Sequence, residues 1–167
     1  DQNKKLTEME DLDLQENRLI DLKQYIDDEF FCHTVNFQML KGYSLLNKER
    51  GFVGEDMALD PMAIYYHLKI TPFIEEQISK SLFPTYCYTR KYEPESTLDF
   101  HKDRPSCEIS VSYCHEGESW PFFFLKNNKM SSYELKPGLG ILYKGEEMHG
   151  RVTKNKNSVL QTFFHWV

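Results

Sequence analysis

A His-x-Asp step, His101-Lys102-Asp103, followed 46 positions after its carboxylate by His149, constrains this chain more than any other feature. Residues two apart on a strand project to the same side, so His101 and Asp103 can reach one point while Lys102 faces away. A third donor so distant in sequence must come from another strand laid alongside. Two imidazoles and one carboxylate form the donor set that grips one face of Fe(II) and leaves the opposite face open. The fold must therefore bring strands together around an interior that holds an ion.

Composition agrees with a β-rich core. Among 167 residues, 12 Phe and 10 Tyr supply large apolar surface of the kind that strands accommodate, and this excludes a disordered chain. The length suits one domain, 1–167. A net charge of -6 argues against a broad phosphate-binding surface, which needs clustered Lys and Arg. Cys32, Cys87, Cys107 and Cys114 form no Cys-x-x-Cys pair, so they read as reduced thiols of a cytoplasmic protein. No apolar run approaches the roughly 20 residues that cross a bilayer. The start at Asp1-Gln2-Asn3 has neither Met nor an apolar stretch, as expected of an N-terminally trimmed chain without a signal peptide.

The texture changes near Phe83, giving an N-terminal support region over 1–82 and a strand-rich core over 83–167. Asp60-Pro61 reads as a helix cap followed by Pro in the first turn, and Thr71-Pro72 reads as the same device opening another helix. Phe31, Val35, Met39, Leu40 and Tyr43 fit one helix face, while Arg18 to Ile26 suits strand or helix equally. Strands are expected over 85–92, 108–113, 121–125, 139–143 and 158–167, separated by turns such as Lys136-Pro137-Gly138. Helices followed by many short strands predict an α+β, mainly β, domain built around a sandwich or barrel.

Tyr92, His101-x-Asp103, the stretch Lys136-Pro137-Gly138-Leu139-Gly140-Ile141-Leu142-Tyr143 and His149 together resemble the iron(II)/2-oxoglutarate dioxygenases of the prolyl 4-hydroxylase-like type. The string from His101 to Glu108 is similar to small, uncharacterised marine viral and bacterial members. The resemblance implies a double-stranded β-helix, a cupin-like jelly roll, with supporting N-terminal helices. It implies His101, Asp103 and His149 as metal ligands and catalytic centre, with Fe(II), 2-oxoglutarate and O2 as cofactor and cosubstrates. It further implies hydroxylation of a C–H bond in a protein or peptide residue or a small molecule, with release of succinate and CO2.

The chain departs from that pattern in one respect. Such enzymes commonly carry Lys or Arg roughly nine to eleven residues after the distal His, to pair with the far carboxylate of 2-oxoglutarate. Here Ser158, Val159 and Leu160 stand there. Arg151 is the first replacement expected, followed by Arg104 and Arg90, with Tyr92 touching the same carboxylate. The loops 51–57 and 93–97 are expected at the mouth, with Glu55, Asp56 and Arg90 lining it or exposed. His115 reads as a turn residue rather than part of a zinc cluster with Cys107 and Cys114, and His33, His67 and His165 as packed or surface histidines. Phe122, Phe123 and Phe124 read as core, and the acidic run Glu8, Glu10, Asp11 and Asp13 as a solvated face. Two other readings fit the same residues: an oxidative nucleic-acid demethylase, disfavoured by 20 basic against 26 acidic residues, and a non-catalytic metal-binding jelly roll.

Overall fold

The computed structural model describes residues 16–167; the acidic run near Glu8 lies outside them. Eleven strands and two long helices follow in the order β1 (Arg18–Asp21), α1 (Asp28–Leu40), β2 (Leu45–Glu49), β3 (Phe52–Ala58), α2 (Pro61–Ile78), β4 (Pro84–Tyr92), β5 (Leu98–His101), β6 (Ile109–Glu116), β7 (Trp120–Lys126), β8 (Lys129–Leu135), β9 (Leu139–Lys144), β10 (Met148–Arg151) and β11 (Val159–Trp166). They form two antiparallel sheets, β1-β9-β6-β11-β4-β3-β2 and β5-β10-β7-β8. This is the predicted jelly roll: the seven-stranded sheet is backed by helices on one face and meets the four-stranded sheet across the other. Among the described residues, no helix is long and apolar enough to cross a membrane.

Both helices start at a capping aspartate, of which the sequence reading singled out Asp60 and not Asp27. Asp27 accepts from the backbone N–H of Phe30, and Asp60 from those of Met62 and Ala63, with Pro61 in the first turn. In α1, Phe31, Val35 and Met39 face the core as expected, but Leu40 and Tyr43 are 86% and 74% exposed. Thr71-Pro72 opens no new helix. Pro72 lies inside a continuous α2, whose buried face runs through Ile70, Thr71, Ile74 and Ile78 on both sides of it. Packing against the sheet outweighs the backbone hydrogen bond that a proline removes.

Strand parity divides the interior into two. Odd-numbered residues of β6, such as Ile109, Val111 and Tyr113, join the helix-backed core, which also holds Leu160, Phe164 and Trp166 of β11. Residues of opposite parity, including Tyr92, Cys114, Tyr143, Val159 and Phe163, turn into the barrel with Trp120, Phe122 and Phe124 of β7.

The helical reading before Phe83 fails at one place. Residues 45–58 form the β2–β3 hairpin, which extends the large sheet through pairing of β3 with β4. The stretch Arg18 to Ile26, which suits strand or helix equally by sequence, begins as β1, paired with β9. Strands β5, β8 and β10 also lie outside the predicted set.

Candidate active site

His101 and His149 are directly opposite each other on the antiparallel pair β5 and β10. Such partners hold their Cβ atoms about 5 Å apart, and the two imidazole centroids lie 4.4 Å apart. Asp103 follows the end of β5, where its backbone N–H donates to the Gly145 carbonyl at 2.8 Å. Gly145 is required there by close approach: a Cβ would sit 2.0 Å from the Cys107 carbonyl and 3.0 Å from the Asp103 Cβ. The structure thus brings together the three residues that the sequence singles out, within one group able to hold a metal.

The tautomers follow from the backbone. His101 Nδ1 lies 2.8 Å from the Asp99 carbonyl and His149 Nδ1 lies 2.7 Å from the Glu147 carbonyl. Carbonyls only accept, so each Nδ1 carries the proton and each Nε2 presents a lone pair. Those Nε2 atoms lie 3.4 and 3.3 Å from Asp103 Oδ1. Three acceptors converge with no hydrogen between them, an arrangement that calls for a cation. Ligands in neighbouring positions on an ion with bonds of about 2.1 Å are about 3 Å apart, close to what is seen. Burial alone would raise the Asp103 carboxyl; with no cation between them, imidazoles protonated at Nε2 and donating to it hold it well below the usual carboxylate range, the place a metal cation would take. His149 is buried against Phe122 and Tyr143, at centroid distances of 5.7 and 4.7 Å.

A cavity of about 330 Å³ opens onto this centre and reaches Tyr88, Arg90 and Phe163. Of the expected mouth loops, Phe52 and Asp56 line it while 93–97 do not, and Glu55 instead accepts from Ser44. Arg104 sits exposed at the rim.

The three arginines differ in what they meet. Arg90 is bidentate to Asp56, at 2.6 and 2.9 Å, and stacks over Phe52 at 3.8 Å, so its charge already has a partner. Arg151 is only 1% exposed, and none of its guanidinium nitrogens has a hydrogen-bond partner. It lies 4.0 Å over the Trp120 ring and 5.9 Å from that of Tyr92. Burial pulls its guanidinium down to about 10. The Tyr92 hydroxyl and both polar atoms of the Gln161 amide are likewise buried without partners. A buried cation and buried amide left this way are costly unless a ligand joins them. Arg90 and Arg104 line the cavity, whereas Arg151, Tyr92 and Gln161 are buried outside its lining.

Sequence reasoning did not single out Gln161. It is the polar residue at an inward position of β11, between Val159 and Phe163, and strand parity would have found it. His115 is no turn residue but a buried member of β6, bonded to Asp28 and Thr162. Cys107 groups with Asp103 and His165 rather than with Cys114 and His115. Phe122 and Phe124 are core, as expected, and also pack against His149.

No family model matches the chain, and no curated protein matches it. Solved structures do match. The chain superposes on a 2OG-Fe(II) oxygenase family oxidoreductase from Burkholderia pseudomallei with a TM-score of 0.73 at 12% identity, covering 90% of this chain and 84% of that one. A viral collagen prolyl hydroxylase from Paramecium Bursaria Chlorella virus-1, in its 2OG complex, gives 0.67 at 12% identity over 90% and 94% of the two chains. HygX from Streptomyces hygroscopicus, with nickel and 2-oxoglutarate bound, gives 0.63 at 11% identity over 90% and 82%. The fold is therefore the jelly roll that these oxygenases share.

Proposed function

We propose that this chain is an Fe(II)- and 2-oxoglutarate-dependent dioxygenase that hydroxylates a C–H bond of a protein or peptide residue or a small molecule, releasing succinate and CO2. The observation that carries the reading is the convergence of two imidazole lone pairs and one carboxylate oxygen at a cavity wall, with an unpartnered guanidinium two residues beyond His149 on β10. The fold shared with oxygenases that bind nickel and 2-oxoglutarate supports it.

His101, Asp103 and His149 would hold the ferrous ion, which when bound supplies the redox chemistry of O2 activation. Their arrangement on one side leaves the cavity side for the keto acid and O2. Arg151, with Tyr92 and Gln161, would orient the cosubstrate by its far carboxylate, in place of the basic residue absent from 158–160. Water is excluded there by Trp120 and Phe122, which strengthens that ion pair. Arg90 keeps Asp56 and the cavity wall in place, and Arg104 is left at the rim for the prime substrate. Free thiols at Cys32, Cys87, Cys107 and Cys114 suit a reducing compartment, the cytoplasm.

Anaerobic addition of Fe(II) and 2-oxoglutarate tests the reading. A visible charge-transfer band is expected, followed in air by succinate release, which peptides or small molecules then stimulate. A band without succinate would leave the metal-binding module, and stimulation by nucleic acid alone would leave the demethylase.

A further inference from the structure

A second cluster of donors shares Asp103 with the first. Cys107, at the end of the short 3-10 turn 105–107, and His165 of β11 are both buried, and their ligating atoms lie within 4.8 Å of each other and of the Asp103 carboxylate. All three residues line the same cavity as the first centre. The oxygenase reading uses neither Cys107 nor His165.

The surroundings are built to present these donors. Ser110 Oγ donates to the Cys107 carbonyl at 3.3 Å and lies 2.8 Å from His165 Nδ1. With its proton committed to the carbonyl, Ser110 accepts from Nδ1–H, and Nε2 keeps its lone pair. Ligating histidines are oriented in this way, by a hydrogen bond at the other ring nitrogen. Thr85 Oγ1 lies 2.7 Å from the Ser106 carbonyl and 3.0 Å from the His165 carbonyl, fixing the turn against β11. The Tyr86 hydroxyl lies 3.0 Å from Cys107 Sγ and adds a fourth potential donor to the pocket. Asp103 offers Oδ1 to the two imidazoles of the first centre, and its Oδ2, which accepts from the Tyr143 hydroxyl at 3.4 Å, keeps a second lone pair for this one.

We propose that Asp103, Cys107 and His165 form a second cation site, selective for a thiophilic divalent ion of the zinc class, with Asp103 shared between the two centres. A thiolate, an imidazole and a carboxylate suit zinc and cadmium, whereas the thiolate-free triad of His101, Asp103 and His149 suits harder ions. Sharing one carboxylate couples the sites. An ion on Cys107 and His165 draws charge from the carboxylate and narrows the cavity, so occupancy of the second site damps the first. Of the proposed function, this inference needs only the position of Asp103.

Cadmium is the probe, because its thiolate gives an ultraviolet charge-transfer band that the first centre cannot produce. The anaerobic protein loaded with Fe(II) and 2-oxoglutarate is titrated with Cd²⁺. The expected result is a thiolate band saturating at one Cd²⁺ per chain, absent from Cys107→Ser, and at least about tenfold weaker in binding for His165→Gln. His149→Ala should keep the cadmium band whatever becomes of the visible iron band, so a failure of the oxygenase reading leaves this test decisive. Absence of the band in the unaltered protein, its persistence in Cys107→Ser, or its loss in His149→Ala overturns the second site. Full-strength binding in His165→Gln also overturns it, by reducing the cluster to a single thiol. Should Cys107→Ser not fold, the His165→Gln titration alone decides.

Discussion

The two faces of β11 are made from one strand yet differ in how their polar groups end. Leu160, Thr162, Phe164 and Trp166 enter the helix-backed side, where Thr162 Oγ1 lies 2.6 Å from His115 Nε2 and 2.8 Å from Thr89 Oγ1. His115 Nδ1 reaches Asp28 at 2.8 Å, Tyr113 donates to the same carboxylate at 2.7 Å, and the Trp166 indole donates to Thr71 at 2.9 Å. Val159, Gln161, Phe163 and His165 enter the barrel, where Gln161, Tyr92 and Arg151 find no partners. On the helix-backed side this network is paired within the protein, while on the barrel side three side chains have no protein partner. Polar satisfaction, more than burial or residue type, separates structural from functional groups here. His67 Nε2 and Gln38 Oε1 are exceptions on the helix side.

The largest expected effect tests the barrel side at its metal centre. His149→Ala or His101→Ala should abolish both the visible iron band and succinate release, because two remaining donors hold Fe(II) poorly. Turnover retained in either variant would break the contrast at its root. Arg151→Met comes next. It should raise the KM for 2-oxoglutarate by about 100-fold, the loss of a charge-assisted bidentate contact. The same variant should unfold at higher urea in the absence of cosubstrate, by about 1 kcal/mol or more, since an apolar chain replaces an unpartnered buried charge. A KM unchanged beside a lower stability would make Arg151 a structural residue.

The metal triad was legible because strand parity and residue chemistry coincide at His101 and Asp103, and most core strands because aromatic and β-branched runs alternate with turns. The β2–β3 hairpin was not, since Leu45 and Leu46 are 78% and 77% exposed and its strands show no clean inward set. Pro72 misled because local propensity cannot see the sheet that α2 packs on. Choosing among Arg90, Arg104 and Arg151 needed the fold. Asp56, which occupies Arg90, is 34 positions away in sequence, and the lack of a hydrogen-bond partner for Arg151 among its aromatic neighbours is a property of the barrel and not of its neighbours in the chain.

On the satisfied side, loss of one partner should show in stability alone. Asp28→Ala strands His115 Nδ1 and the Tyr113 hydroxyl and should cost about 2 to 3 kcal/mol in urea unfolding. Its KM for 2-oxoglutarate should stay at the unaltered value. A raised KM would join the two faces functionally and weaken the distinction between them.

The smallest effect concerns His67, a helix-side exception. Burial beside Phe164 and Trp166 pulls its imidazole down to about 4, against an upward pull from the His165 backbone. In the unfolded chain the same group titrates near 6.5. Between those values the unfolded chain holds a proton that the folded chain lacks, so acid favours unfolding. The stability associated with a neutral His67 is complete above about pH 6.5, falls as pH drops toward 4, and changes no further below that. One proton sets a slope of at most about 1.4 kcal/mol per pH unit. His67→Gln removes that proton, so the unfolding free energy of the variant should fall less steeply from pH 6.5 to 4 by up to this amount. Identical slopes in the two proteins would mean that water reaches Nε2, and the helix-backed side would then have no orphaned group at His67.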